Sequence, residues 1–173
     1  MIEESVSPTP YDVVIIGGGP AGLTAGMYAA RADLRTLAIT GDSTVSQVTI
    51  TDLIENYPGI PDGINGFDLA ERLKTQAVQF GLKTASGDVT AVTRKKWGDR
   101  DGWEVAAGAM RYGALAVIIA TGANWRRLGV PGEERFIGKG VSFCATCDGP
   151  FYRNREVAVV GGGDTAIQEA IYL

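Results

Sequence analysis

A β-branched run, Tyr11-Asp12-Val13-Val14-Ile15-Ile16, passes directly into Gly17-x-Gly19-x-x-Gly22, and an alanine-rich stretch, Leu23 to Ala32, follows. Few patterns narrow the possible folds as far. The run is bounded by Pro10 and by glycines, and it reads as a buried parallel strand. Leu23–Ala32 has good helix propensity. Arg35–Thr40 (RTLAIT) reads as a second strand, so strand, turn, helix and strand make a βαβ unit of about thirty residues. In such a turn the first glycine allows the tight bend and the second lets backbone approach a pyrophosphate. The third lets helix and strand pack closely. Free N–H groups and the dipole at the helix start favour the negative charge. The turn therefore predicts a dinucleotide site, the alternative being a glycine-rich turn with no ligand. An acidic residue for the ribose is expected about twenty positions on. Asp42 stands near that distance, but it follows Gly41 beyond the strand end and reads equally well as a solvated turn aspartate.

Further along, Asp52–Asp62 (DLIENYPGIPD) is rich in turn formers and is expected to be irregular. Phe67, Leu69, Leu73, Ala77 and Phe80 recur at near-helical spacing, which predicts an amphipathic helix over Phe67–Phe80, stopped by Gly81. Leu82–Lys95 and Trp103–Ala107 read as short strands around a polar turn at Gly98–Gly102. Leu115–Thr121 (LAVIIAT) reads as a buried strand ending in Thr121-Gly122. Arg126–Lys139 is a polar loop with Pro131-Gly132, suited to an interdomain connection. Glu156–Val160 (EVAVV) reads as a strand. It leads into Gly161-x-Gly163-x-x-Ala166, where a second helix should begin. That repeat of the first geometry predicts a second dinucleotide turn, against the alternative of a glycine turn without ligand. Two such sites would hold two nucleotides so that a hydride can pass between them. The second unit has no return strand before Leu173, and a parallel strand needs a neighbour for its backbone groups. The expected organisation is α/β. Residues 1–10 form a disordered tail, and 11–122 the first segment of one Rossmann-like, three-layer domain. Residues 123–173 are the start of a second, with the chain cut within it.

Between the two turns lies Cys144-Ala145-Thr146-Cys147-Asp148. These are the only two cysteines, and the chain has no histidine. A Ser–His–Asp triad, a Cys–His nucleophile and a histidine-based metal site are excluded within this chain. A zinc site needs four ligands, usually Cys or His, and only two are on offer, so no metal site is expected. A Cys-x-x-Cys pair lowers the pKa of one thiol and lets the sulfurs close a disulfide over one short turn. Redox chemistry fits that pair better than half a metal site or two inert thiols. Asp148, beside the second cysteine, could carry the proton that thiol–disulfide exchange demands, or serve as a helix or turn cap.

Composition removes other classes. A net charge of −4 offers no basic footprint for nucleic acid. No apolar run approaches the eighteen or so residues of a membrane span. Met1 to Pro10 lacks the basic and apolar regions of a signal peptide. A soluble, cytoplasmic protein is the expectation.

Taken in order and spacing, Gly17–Gly22, Ala120-Thr121-Gly122, Cys144–Gly149 and Gly161–Ala166 resemble the bacterial-type, low-molecular-weight thioredoxin reductases. So do Glu55-Asn56-Tyr57-Pro58-Gly59 and Phe151-Tyr152-Arg153-Asn154. The likeness runs from about Tyr11 to the end of the chain, and the Cys-Ala-Thr-Cys-Asp-Gly stretch is its most specific part. The resemblance implies an FAD domain interrupted in sequence by an NADPH domain that carries the disulfide. NADPH would reduce FAD, FAD the disulfide, and the dithiol a thioredoxin. Pro20-Ala21 within the first turn also leans towards FAD. Carried over by position, Cys147 would face the flavin, Cys144 would attack the thioredoxin disulfide, and Asp148 would be the acid/base. Gly17, Gly19, Pro20, Ala21 and Gly22 would hold the FAD pyrophosphate. Thr40, Gly41, Gln47 and Asn56 would approach the rest of FAD, with Thr121 and Gly122 also at the cofactor. Gly161, Gly163, Asp164, Thr165 and Ala166 would form the NADPH turn. Such proteins are homodimers whose domains rotate.

The family pattern Gly-Gly-Gln-Leu is here Val45-Ser46-Gln47-Val48, and lost glycines restrict how closely backbone can approach a flavin. That departure motivates a sibling expectation, a flavin-dependent disulfide reductase with ferredoxin or another donor, or another acceptor. An expectation from a different class is a non-catalytic nucleotide-binding module.

Overall fold

The computed structural model describes residues 9–42, 46–49, 51 and 53–173. Residues 1–8 of the expected tail, Val45 of the altered segment, and Asp52 of the expected irregular stretch lie outside the described residues. The chain divides into two compact units, Met1–Ala123 and Asn124–Leu173.

The first unit is a βα layer closed by a ribbon. Its elements are β1 (Tyr11–Ile16), α1 (Pro20–Arg31), β2 (Thr36–Thr40), α2 (Gly66–Gln79), β3 (Lys83–Ser86), β4 (Val89–Trp97), β5 (Arg100–Ala107) and β6 (Met110–Ile119). The six strands are ordered β3-β2-β1-β6-β5-β4. β3, β2, β1 and β6 run parallel, while β5 and β4 continue antiparallel. In a flat sheet β3 and β4 would sit five strand spacings apart, roughly 24 Å. Ser86 and Val89 are separated by only Gly87 and Asp88, a reach of at most about 11 Å. The sheet therefore curls, and the β4–β5 ribbon folds back across one face. Gly87, at the β3 edge, accordingly lies against Ala107 of β5.

Each face of the parallel strands has its own core. Val13, Ile15 and Ala38 pack with Leu23 of α1, Ala77 of α2 and Leu82. Val14, Ile16, Leu37 and Ile39 pack with Val105 and Ala107 of the curled ribbon and with Ala114 of β6. Strand alternation makes this possible, since successive residues of β1 point to opposite faces. A strand covered on both sides reads as the continuous apolar run seen in the sequence. Val14 and Ile15 are fully buried, and each contributes about 1.5–3 kcal/mol relative to exposure. α2 is capped by Asn65, whose side chain accepts the Phe67 N–H at 2.9 Å.

Several boundaries differ from the sequence reading. Leu82–Lys95 is two strands rather than one, because the Gly87-Asp88 corner moves the chain from one edge of the sheet to the other. The polar turn shrinks to Gly98-Asp99, and Gly102 lies inside β5, where Trp97 covers it. β6 starts five residues before Leu115, because Met110–Gly113 gains a ladder partner in β5, and it ends at Ile119.

The second unit holds α3 (Glu133–Phe136), α4 (Ala145–Asp148), a 3-10 turn at Gly149–Tyr152 and α5 (Asp164–Tyr172). The expected polar loop Arg126–Lys139 contains α3, because the Glu133 carboxylate folds the preceding backbone onto itself. It accepts the Leu128 N–H at 3.0 Å and the Gly129 N–H at 2.8 Å. Glu156–Val160, expected as a strand, joins no ladder among the described residues. A strand exists only where a neighbour takes its hydrogen bonds, and Val157, Val159 and Val160 remain exposed.

Candidate active site

In the first unit β1, β2 and β6 end level with one another, with Ile16 in register with both Ile39 and Ile119. The chain turns at Gly17, whose N–H donates to Ile39 O at 2.8 Å, while the Ala120 N–H donates to Ile16 O at 2.8 Å. Gly17 has φ +121°, and a Cβ there would overlap the Ala120 carbonyl. Both facts demand glycine. A Cβ on Gly22 would overlap Gly17 O, so the third glycine seats α1 against the turn. Gly19 is different. Its φ is −79°, and a Cβ would meet nothing nearer than Ser46 Oγ at 3.7 Å. Neither backbone strain nor crowding within the protein calls for glycine there. What a Cβ would obstruct is the open space before α1, which has Pro20 at its first position and no side-chain cap. Its first N–H groups have no partner within the helix. A pyrophosphate fits such a cradle.

The other expected cofactor residues divide into those the fold gathers and those it does not. Thr40 ends β2, and its side chain occupies the space beside Gly18. Gly41 follows, with Asp88 Oδ1 at 2.9 Å from where its Cβ would be. Asp42 is exposed, and its N–H donates to that same Asp88 oxygen at 3.0 Å. Asp88 thus shapes this corner, and sequence separation hid it. Gln47 Nε2 donates to the carbonyl of Ala123, just past Thr121 and Gly122. Gln47 and the end of the β6 segment therefore come together. Gly122 takes φ +72°. Asn56 is exposed on the loop closed by the Ile54–Ile64 bridge, and no contact among the described residues ties it to the glycine turn. A Cβ on Gly66, which the sequence did not single out, would overlap Val48 O and press on Thr51 O, so α2 starts against those two residues.

In the second unit Cys144 and Cys147 form a disulfide with Cα atoms 5.3 Å apart. Cys144 stands before α4, and its Sγ accepts the Cys147 N–H at 3.2 Å. Thr146 Oγ1 lies 3.4 Å from the same sulfur. Ser142 Oγ accepts the Cys144 N–H at 3.1 Å and donates to Cys144 O at 3.3 Å. Asp148 follows, half-buried, as the last residue of α4. The second glycine turn repeats the first in part. Gly161 has φ +143°, and a Cβ there would press on Ala166 at 2.9 Å. A Cβ on Gly163 would meet nothing within 4 Å, and α5 starts with Asp164 and no side-chain cap. Thr165 is exposed in its first turn. The Glu133 carboxyl is held below the usual carboxylate range by the Leu128 and Gly129 N–H groups, with Arg127 adding to the effect and desolvation opposing it. Among the described residues no group of three or more His, Cys, Asp or Glu could hold a metal ion. No helix among them is long and apolar enough to cross a membrane.

One family model matches residues 11–173, a span that holds both glycine turns and the disulfide between them. The chain belongs to the pyridine nucleotide-disulphide oxidoreductases. It is 49% identical over 166 residues to the thioredoxin reductase of Treponema pallidum, covering 95% of this chain and 52% of that protein. A protein of Pseudomonas fluorescens named glucosaminate ammonia-lyase is 47% identical, over 93% of this chain and 49% of that one. Among solved structures, the thioredoxin reductase of Streptococcus pyogenes matches with a TM-score of 0.85 at 44% identity, over 96% of this chain and 53% of that one. The α/β fold is that of these dinucleotide-binding proteins. The chain spans about half the length of the curated relatives it matches.

Proposed function

We propose that this chain is part of a thioredoxin-disulfide reductase that passes electrons from NADPH through FAD to the Cys144–Cys147 disulfide and on to a thioredoxin. The disulfide carries the reading. Overall similarity alone does not separate a thioredoxin reductase from a relative with another name, whereas adjacent, partly exposed sulfurs at a short helix supply a dithiol/disulfide couple. The cradle before α1 supports FAD: Gly17 and Gly22 serve the turn itself, and Gly19 with the N–H groups of Ala21 and Gly22 leaves room for a pyrophosphate. FAD supplies the two-electron relay between a nicotinamide and a disulfide. Pro20 pre-sets the first turn of α1. Thr40, Gly41, Gln47, Asn56, Thr121 and Gly122 would line the rest of that nucleotide. Gly161, Gly163, Asp164, Thr165 and Ala166 would form the corresponding turn for NADPH, with the open Gly163 in the place of Gly19.

Cys144 is the sulfur that attacks the thioredoxin disulfide and Cys147 the one that exchanges electrons with the flavin. Asp148 moves the proton. In organisation, residues 11–122 are the first segment of the FAD domain and 123–173 the start of the NADPH domain. The protein works as a cytoplasmic homodimer.

The deciding experiment is an anaerobic titration of the full-length flavoprotein with NADPH, followed by its visible spectrum. Bleaching of the flavin bands, followed by thioredoxin-dependent reoxidation, is expected. Flavin bands that NADPH leaves unchanged would replace the donor. A colourless protein would remove the flavin reading altogether.

A further inference from the structure

The two sulfurs of the disulfide are not equivalently surrounded. Cys144 Sγ has two hydrogen-bonding groups directed at it, the Cys147 N–H at 3.2 Å and the Thr146 hydroxyl at 3.4 Å. A disulfide sulfur carries no proton, so the hydroxyl is the donor. Ser142 holds the Cys144 backbone from the other side through both its N–H and its C=O. Ala145 is buried beneath this turn, which fixes where the Thr146 side chain starts.

A hydroxyl donates weakly to a neutral disulfide sulfur and strongly to a thiolate, because charge-assisted hydrogen bonds are roughly twice as strong as neutral ones. Groups that interact more strongly with developing charge than with the resting state are those that lower a barrier. We propose that Thr146 is a positioning residue for the dithiol chemistry, its hydroxyl holding Cys144 Sγ and taking up the negative charge whenever that sulfur becomes a thiolate. The inference rests on the proposed function and deepens it.

The step balances as follows. A bound flavin would supply an electron pair originating in the nicotinamide donor; with that pair delivered at Cys147, the Sγ–Sγ bond breaks, Cys144 leaves with the bonding pair as a thiolate, and Cys147 is left as the second thiolate. That thiolate then attacks one sulfur of a protein disulfide and forms a mixed disulfide. The partner's other sulfur departs as a thiolate and takes a proton. Cys147, as thiolate, attacks Cys144 Sγ, re-forms the internal disulfide and releases the partner's second sulfur, which is protonated in turn. The partner gains two electrons and two protons. Cys144 bears charge at its departure and again at its attack, and Thr146 serves both moments.

The test isolates Cys144 in the full chain carrying Cys147→Ser and follows its alkylation by iodoacetamide as a function of pH. Adding Thr146→Val should slow alkylation near neutral pH by about five- to tenfold, as loss of one exposed charge-assisted hydrogen bond would. It should also move the pH midpoint upward, and Thr146→Ser should restore both. Identical pH profiles for Thr, Val and Ser overturn the assignment. So does a Val defect that Ser fails to restore, since packing alone would then explain it. A separate assay asks whether the Cys147→Ser protein traps thioredoxin as a mixed disulfide. Trapping with no Thr146 effect sinks this inference and leaves the proposed function standing, whereas absence of trapping sinks the proposed function itself.

Discussion

Gly17–Gly22 and Gly161–Ala166 share a spacing, a positive-φ first glycine and a helix beginning immediately after. Their surroundings share little. The first turn is held between two parallel neighbours, with Gly17 donating to β2 and the strand before it bonded to β2 and β6 over its length. The second follows Glu156–Val160, which has no ladder partner among the described residues, and α5 has no buried residue. The comparison separates two levels of encoding. A glycine pattern specifies the bend and the helix start from within a few residues. The strand before it is made by its neighbours, and sequence pattern states only that it would be compatible with them.

The largest effect expected from this contrast is in amide hydrogen exchange. In the 173-residue chain, Val13–Ile16 should exchange several orders of magnitude more slowly than Val157–Val160, because ladder amides open only with the sheet. Comparable protection in both segments would break the comparison. Next in size is a matched pair of substitutions. Gly17→Ala places a methyl on the Ala120 carbonyl at a strained φ and should cost about 3 kcal/mol or more in urea unfolding. Gly161→Ala, also at a positive φ but meeting the Ala166 Cβ at 2.9 Å rather than a backbone carbonyl at 2.1 Å, and beside a helix with no buried residue, should cost less, about 2 kcal/mol.

Gly19→Ala sharpens the same contrast within one turn. Since its methyl meets open space, stability without cofactor should hold within about 0.5 kcal/mol, while FAD affinity falls by at least about tenfold, or 1.4 kcal/mol. Flavin retention on dialysis of the full-length protein checks it, and unchanged retention would move the pyrophosphate elsewhere. The smallest effect concerns Glu133. Its folded pKa lies below its unfolded one, so the stabilisation is present above the ordinary carboxylate range and is lost as pH falls through the lowered value. The protection of the Leu128 and Gly129 amides, measured relative to their intrinsic exchange rates at each pH, should therefore fall on acidification, and Glu133→Gln should remove that dependence.

The central βαβ unit was legible because its signals are local and agree: β-branched residues at Tyr11–Ile16, glycines at the bend, helix formers after it. The Cys144–Cys147 pair was legible because histidine is absent and two sulfurs at that spacing have few other uses. The curl of the sheet was not, since nothing near Gly87-Asp88 announces that the chain changes edges there; only pairing to Ala107 does. Asp42 illustrates the limit at the site. Counting from the glycines finds an acid of the right type, yet the carboxylate that shapes the corner is Asp88, 46 residues further on. Thr146 sat within the motif all along, but its role depends on which sulfur its hydroxyl reaches. Glu133 was read as part of a featureless loop because a carboxylate that organises backbone leaves no periodicity.

The curl has a consequence for the order in which the chain assembles. β4, β5 and β6 join by tight connections and can form as they emerge from the ribosome. β1, at the middle of the parallel strands, must wait for β6, about a hundred residues later, before its second edge is satisfied. Until then β1 presents a bare apolar edge, and closure of that one long loop completes the strand ends that carry the glycine turn. The proposed cradle for a nucleotide is thus among the last features of the first unit to form, and a dinucleotide that bound there would select the closed sheet over its open precursors.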